Sequence, residues 1–311
     1  MLDPPEDRAW RQLLAPLFSP LPVAALEPHV RRRCVDLVDA FADAGRCDLV
    51  EDFAHKFPTS IFMEIVGLPL EDFDQFMAWE HAILRQKARA AGDSAPIVAM
   101  RDVTAYFTRL LDERRCEPRD DILSAAASWT FDGEPIPEPE LLGMFLLLFM
   151  PGLDTVASEL AYAFLHLATN DDDRRRIVAE PATIPTLVEE LLRAYPVVLS
   201  SRKVVEDVEF HGCPMRAGQM VFLPLCTATR DDAELAAART VDIERSPNHH
   251  IAFGAGVHRC IGSHLARLEL RVALEEWHAR IPHYRLPDGV EVVEHAGVLG
   301  LDALPLVWKE P

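Results

Sequence analysis

The chain has 311 residues, 49% of them hydrophobic, and its 50 acidic and 31 basic side chains give a formal net charge of −19. This charge disfavours nucleic acids and anionic membrane surfaces as general partners. The cysteines show no paired spacing, which is typical of a reducing cytoplasm rather than of a disulfide framework. The N-terminus carries no signal pattern, and the apolar run at 141–153 is too short to span a bilayer. We therefore expect a soluble, cytoplasmic protein.

The first two thirds of the chain have the apolar spacing of helices. The three arginines at 31–33 are interpreted as a solvated helix face, and residues 88–94 are expected to form a loop. Residues 145–149 are apolar on all sides, as in a helix that crosses a core. Residues 1–17 are predicted to form a turn followed by a short helix. Further helices are predicted at about 23–44, 61–66, 73–84, 97–111, 138–168, 171–179 and 184–195.

After Pro196 the pattern changes to short strands, predicted at 203–205, 208–212 and 220–223. An irregular charged stretch follows, then a helix from Ser263 to about Ile281. There are no internal repeats and no low-complexity linkers. The sequence predicts a single domain over residues 1–311, mainly α with a minor β region.

A glycine-rich segment at 253–262 places Cys260 just before that last helix. The unpaired N–H groups and the dipole at a helix N-terminus favour a thiolate over a thiol. Glycines at 254, 256 and 262 allow the backbone to approach a flat, bulky partner. A thiolate presented to a large planar group is what haem ligation by cysteine requires.

Three other interpretations of this segment compete with haem ligation. A lone cysteine is most often a small buried hydrophobic residue. A zinc site from His258, Cys260 and His264 is conceivable, but its spacing fits no common zinc pattern. A dinucleotide-binding loop fails because its third glycine would fall on Arg259. Haem ligation fits the segment better than these three.

The pattern Phe-Gly-x-Gly-x-His-x-Cys-x-Gly resembles the cysteine loop of the cytochromes P450, and the chain is similar to their soluble bacterial class. The resemblance implies the cytochrome P450 fold, with haem b as cofactor and Cys260 as its iron ligand. The residues that match the loop and are expected to contact the haem are Phe253, Gly254, His258, Cys260 and Gly262.

Two more motifs of the family occur in the expected order. Glu190 and Arg193 lie three residues apart on one helix face and can pair, which by itself is a common surface feature. The resemblance identifies them with the Glu-x-x-Arg signature and implies that Arg245 joins them in a structural network that holds the cysteine loop.

The other motif is the stretch from Pro151 to Thr155. Burying an acid beside a threonine inside an apolar helix costs free energy, which favours a functional role for these groups. The competing interpretation is that the threonine only hydrogen-bonds to a carbonyl of its own helical turn. The resemblance implies that Thr155 hydrogen-bonds iron-bound O₂ and that Asp154 controls proton delivery. Pro151 stands where a small residue is usual, and we expect it to hold the oxygen-binding groove open.

Further expectations rest on position within matching segments. Haem propionates would be bound by Arg11, Arg202 and His258, although Asp7 stands where many bacterial relatives have a histidine. An apolar pocket suits a small hydrophobic substrate, terpenoid-like or aromatic. We expect electrons from a separate ferredoxin-type donor with its reductase, docking beside Arg8, and a monomeric protein. The expected pocket residues are Leu147, Met150, Val198 and Val298.

The Asp-Pro-Pro-Glu segment that lies well inside the chain in relatives begins here at Asp3. The resemblance therefore implies that the N-terminal strands and the loop closing the substrate pocket are missing. Two function classes stay open. One is a monooxygenase that inserts one oxygen atom from O₂ into a C–H bond. The other is a truncated haem-binding protein without turnover, acting as a binding or sensing module.

Overall fold

The computed structural model describes residues 2–83 and 94–309. The predicted loop at 88–94 lies, except for Ser94, outside the described residues. The helices are α1 (Glu6–Leu14), α2 (Pro20–Asp39), α3 (Lys56–Val66), α4 (Phe73–Ile83), α5 (Ala95–Cys116), α6 (Ile122–Ala127), α7 (Glu138–Thr169), α8 (Asp171–Ala179), α9 (Ile184–Ala194), α10 (Leu225–Ala228) and α11 (Ser263–Arg280). The strands are β1 (Arg46–Asp48), β2 (Thr130–Phe131), β3 (Glu134–Pro135), β4 (Leu199–Lys203), β5 (Val208–Phe210), β6 (Cys213–Met215), β7 (Met220–Pro224), β8 (Glu294–His295), β9 (Gly300–Leu301) and β10 (Pro305–Val307).

Helix α7 passes through the centre of the molecule and packs against α3, α5 and α11. Its first half meets the ring of Phe107, which stacks on Phe145 with ring centres 5.1 Å apart. Its second half meets Trp277 of α11, whose ring lies 4.7 Å from that of Phe164. By length and composition α7 could also cross a membrane, but its packing here is that of a core helix. This agrees with the all-round apolar pattern of its sequence.

Helices α2 and α11 lie against each other and share an ion network. Arg31 donates to Glu27 at 2.8 Å and to Glu275 at 2.6 Å, and it also contacts Glu276 at 2.5 Å. Arg33 donates from Nε to the hydroxyl of Ser60 at 2.9 Å. The interpretation of this arginine trio as a solvated face was therefore wrong for two of its members, because the acidic partners of Arg31 on α11 are distant in sequence.

Each sheet within the described residues has two antiparallel strands. Strand β1 pairs with β10, with Cys47 opposite Leu306, and this pairing joins the N-terminal and C-terminal parts of the chain. Strand β4 pairs with β7, from Leu199 opposite Pro224 to Lys203 opposite Met220. The strand predicted at 203–205 lies too late, because pairing with β7 selects the polar stretch from Leu199 rather than the two valines that follow.

Candidate active site

The cysteine loop folds back on itself before α11 begins. The backbone N–H of Cys260 donates to the carbonyl of Phe253 at 2.9 Å, and that of Gly254 donates to Ile251 at 2.8 Å. Gly254 and Gly256 have φ values of 69° and 73°, a region that side-chain-bearing residues rarely adopt. A Cβ atom at either glycine would meet nothing within 4 Å. The glycines therefore serve the turn and keep one side of the loop open.

The thiol of Cys260 is exposed at the end of this loop. Burial by surrounding protein atoms raises its pKa, while the N–H of Gly262 and the charges of Arg11 and Arg259 act in the opposite direction. The N–H at the helix start thus acts in the predicted direction, but desolvation is the largest effect and raises the pKa of the thiol overall. Coordination of a metal cation deprotonates a thiol outright.

Two of the three predicted propionate ligands lie at the loop. Arg11 of α1 donates to the carbonyl of Arg259 at 2.9 Å. The ring of His258 lies with Nε2 at 3.0 Å from a carboxylate oxygen of Asp3. Both contacts tie the N-terminal segment to the cysteine loop and leave cationic or donor groups beside it.

Arg202, the third, is exposed on β4. The hydrogen bonds described for its guanidinium stay within its own strand, to the hydroxyl of Ser200 and the carbonyl of Ser201, both at 2.8 Å. The structure therefore does not bring Arg202 into hydrogen-bond contact with the cysteine loop.

The three residues of the second motif meet behind the loop. Arg193 pairs with Glu190 at 2.7 Å with neither side chain exposed, and Arg245 Nε donates to the same carboxylate at 3.0 Å. Asn248 adds a hydrogen bond at 3.0 Å, and the N–H of Asp242 adds another at 2.8 Å. Burial acts to raise the pKa of Glu190, but the hydrogen bonds from Arg193, Asp242 and Arg245 lower it overall. The carboxylate thus joins α9 to the irregular stretch that leads into the loop.

A second network beside it was missed by the sequence analysis. Glu189 accepts hydrogen bonds from Arg267 of α11 at 2.5 and 2.9 Å and lies 3.0 Å from Nε2 of His250. The guanidinium of Arg267 also lies over the ring of Phe253, 4.5 Å from its centre. This network connects α9, α11 and the first residue of the cysteine loop. The only sequence signal was a second glutamate directly before Glu190.

In the third motif, Thr155 donates from its hydroxyl to the carbonyl of Pro151 at 2.8 Å, the bond to its own turn that is common in helices. Asp154 is buried. A Cβ atom on Gly152 would lie 2.6 Å from the ring of Phe62, so this part of α7 needs glycine to pack against α3. Helix α7 continues through Pro151 without a break in its assigned span.

The four predicted pocket residues come from three segments. Leu147 on α7 is 50% exposed and Val198, just before β4, is 36% exposed. Met150 and Val298 are partly buried against the core. The N–H of Leu299 donates to the carbonyl of Val197 at 2.9 Å, so the segments that carry Val198 and Val298 lie side by side.

These residues fit a haem group. The exposed thiol of Cys260 is a suitable iron ligand, and the open side of the glycine loop leaves room for a flat ring. Exposed apolar side chains such as Leu147 and Val257 suit an apolar macrocycle. Arg11 and His258 suit its carboxylate edge.

Comparison with known proteins decides the family. Residues 99–277 match the family model described as Cytochrome P450. A protein of Sinorhizobium fredii named "Probable cytochrome P450 127A1" is 36% identical over 99% of this chain and 73% of its own length. The chain belongs to the cytochrome P450 family.

Other members of the family agree. The "Mycinamicin IV hydroxylase/epoxidase" of Micromonospora griseorubida is 35% identical over 99% of this chain and 79% of its own length. The solved structure of the cytochrome P450 PksS of Bacillus subtilis superposes with a TM-score of 0.91 and 30% identity, covering 99% of this chain and 80% of that one. The chain therefore has the cytochrome P450 fold, and it is a haem-dependent P450 monooxygenase, an oxidoreductase, as the resemblance implied.

Proposed function

We propose that this cytochrome P450 binds haem b through Cys260 and hydroxylates a small hydrophobic substrate with O₂. The observation that carries the proposal is the exposed thiol at the end of a glycine loop that closes on itself through Phe253 and Cys260. When bound, the haem iron supplies activation of O₂ for insertion of one oxygen atom into a C–H bond. The protein supplies the thiolate, the orientation of the ring and the exclusion of water.

The side chains around the loop have separate tasks. Arg11 and His258 bind the haem propionates, since both already lie at the loop. Arg202 joins them by turning away from its own strand, which its exposure allows. Phe253, Gly254 and Gly262 shape the loop. Glu190, Arg193 and Arg245 hold it from behind and take no part in the chemistry.

Asp154 and Thr155 act on the other side of the ring. Thr155 would turn its hydroxyl away from the Pro151 carbonyl, breaking one hydrogen bond of 2.8 Å, and offer it as a donor in the oxygen-binding groove. Asp154, buried one residue earlier, passes protons to that hydroxyl.

We expect an apolar substrate because apolar side chains line the proposed pocket. Leu147, Met150, Val198 and Val298 offer no polar side chain to anchor a ligand, which favours a terpenoid-like or aromatic compound. Relatives at 35% and 32% identity are named for reactions on mycinamicin IV and on a methyl-branched lipid, so members of the family act on different substrates.

Electrons come from a ferredoxin-type donor with its reductase. Arg8 and Arg259 are exposed, and Arg11, three residues after Arg8 on α1, donates to the carbonyl of Arg259 at 2.9 Å. Against a net charge of −19 such a patch would orient an acidic protein towards the cysteine side of the haem. We propose a monomer that works in the cytoplasm.

Spectroscopy tests the proposal directly. The reduced carbon monoxide complex is expected to show the red-shifted Soret band of a thiolate ligand. Cys260→Ser should abolish this band, and Cys226→Ser should leave it unchanged. A normal band in Cys260→Ser would overturn the assignment of the ligand.

The alternative of a haem-binding protein without turnover is not favoured, because relatives that cover nearly the whole chain are named for hydroxylation. Substrate-dependent consumption of reduced cofactor, with formation of an oxygenated product, distinguishes the two. Binding of apolar compounds with no product from any of them would support the alternative.

A further inference from the structure

Helix α7 carries a stripe of polar side chains that begins at Thr155 and continues away from the site. Thr155, Glu159, Tyr162 and His166 are spaced by four, three and four residues, so they lie on one face of the helix. The last three are buried, with 4%, 8% and 5% exposure. The helix around them is apolar. Burying polar groups costs free energy, so a row of them inside an apolar helix indicates that they have a function.

Glu159 is the least expected member of this polar stripe. Among the described residues, no hydrogen-bond partner faces its Oε1 atom, which is itself buried. Burial raises the pKa of Glu159 well above its usual value, which favours the neutral carboxylic acid over the carboxylate. A neutral carboxylic acid can both give and take a proton.

The outer end of the polar stripe reaches surface carboxylates along two branches. Tyr162 donates its hydroxyl to the exposed Glu294 at 3.1 Å. His166 Nε2 lies 2.8 Å from the carboxylate of Asp173, and its Nδ1 lies 3.0 Å from the hydroxyl of Tyr195. The rings of Tyr162 and Tyr195 stack with centres 5.9 Å apart. The stripe is therefore connected to solvent at this end.

We propose that the polar stripe is a proton path from Glu294 to Thr155, with Glu159 as its relay. Glu159 gives its proton towards the Thr155 hydroxyl and regains one from the Tyr162 hydroxyl, which is reprotonated from Glu294 and solvent. Among the described residues no hydrogen bond joins Glu159 Oε1 to Thr155 or Tyr162, and Thr155 lies one turn of helix, about 6 Å, from Glu159. The path therefore requires a bridging water on each side of Glu159. Each transfer moves one proton inwards and leaves every group as it was.

The inference rests on the proposed role of Thr155, because the reduction of O₂ that a bound haem would carry out consumes protons, and Thr155 would deliver them. Glu159 supplies protons to Thr155 and does not itself contact the reacting atoms, so it is not a catalytic residue. Asp154 offers a separate, shorter route from the same helix.

Infrared spectroscopy of the haem-loaded protein tests the path without turnover. Subtracting the spectrum of Glu159→Gln should isolate the carbonyl band of a protonated carboxylic acid. In heavy water this band should shift at once in the wild type and markedly more slowly in Tyr162→Phe. Absence of the band, or the same exchange rate in Tyr162→Phe, would overturn the proposal.

Turnover gives the second test. Glu159→Leu should lower the fraction of electrons recovered in product by about tenfold, less than the ~100-fold expected of a full general acid, because Asp154 offers the other route. It should also enlarge the solvent isotope effect, and Glu159→Asp should restore both. Leu160→Met, a buried change on another face of α7, controls for packing and should alter neither. Equal effects of Glu159→Leu and Leu160→Met would show a structural role only.

The two proposals fail differently. If Thr155→Ala left coupling unchanged, the proposed role of Thr155 would fall while the exchange of Glu159 with solvent would still be measured.

Discussion

Arg193 and Glu190 form a two-pronged ion pair in the interior, with Nε to Oε2 at 2.8 Å and Nη2 to Oε1 at 2.7 Å. The remaining N–H groups of Arg193 donate to the carbonyls of Thr229, Ala238 and Thr240 at 2.9, 2.6 and 2.9 Å. Every charge and donor in this pair is thereby matched. A buried ion pair of this kind fixes geometry more than it adds stability, because both groups lose their hydration.

Removing one partner should therefore be severe. In Glu190→Gln the guanidinium of Arg193 stays buried without its counter-charge, and we expect the free energy of unfolding to fall by about 3–5 kcal/mol. Urea unfolding of the haem-loaded protein measures it. The exposed pair of Arg109 and Glu113 is the control, and Glu113→Gln should cost less than about 1 kcal/mol. Similar losses in the two variants would contradict this account.

Glu189 should make stability depend on pH in the acid range. Burial acts to raise its pKa, but hydrogen bonds from His250 and Arg267 outweigh burial and hold it at about 2, against 4.5 when unperturbed. A carboxyl whose folded pKa is depressed stabilises the fold above its unfolded pKa, and this contribution is lost as pH falls from about 4.5 to about 2. The stability difference between wild type and Glu189→Gln should shrink over that window. A difference that is constant with pH would refute the assignment.

In Gly152→Ala, helix propensity and packing have opposite effects on the free energy of unfolding. In an exposed helix the change would stabilise by up to about 1 kcal/mol. Here the new Cβ would lie 2.6 Å from the Phe62 ring, so α7 and α3 must separate and we expect net destabilisation of about 1–3 kcal/mol. Thermal unfolding measures the change. Gly143→Ala, on the same helix with nothing within 4 Å of the added Cβ, should stabilise instead. Stabilisation by both variants would show that the Phe62 ring yields easily.

Thr155→Ala should keep haem binding and lower product formation per electron. The hydroxyl that bonds to the Pro151 carbonyl at 2.8 Å would be missing, and with it the proposed donor to oxygen. Peroxide release measured beside product reports the loss, and Thr155→Ser should largely restore coupling.

Pro151 has no N–H to offer the Leu147 carbonyl, so it weakens α7 one turn before Thr155. We expect Pro151→Gly to reduce coupling by letting the groove close. Unchanged coupling would remove the role assigned to this proline.

The positions of several helices and the three family motifs can be predicted from local sequence patterns. Helix α8 occupies the predicted residues 171–179, and α7 and α11 end within one residue of prediction, because apolar periodicity and flanking prolines act over a few residues. The three ordered motifs around Glu190, Thr155 and Cys260 could also be recognised from the sequence, because each is defined by the spacing of residues within one segment. They carried the family assignment that the comparisons then showed.

Only the tertiary structure decided which distant groups meet. The partners of Arg31 on α11, the pairing of β1 with β10, and the bond of Arg267 to Glu189 join residues far apart in sequence. The buried state of Glu159 also depends on what packs around α7. Sequence spacing states which face of an element a residue occupies, but packing of the whole chain determines what that face meets, and with it burial, charge state and partner.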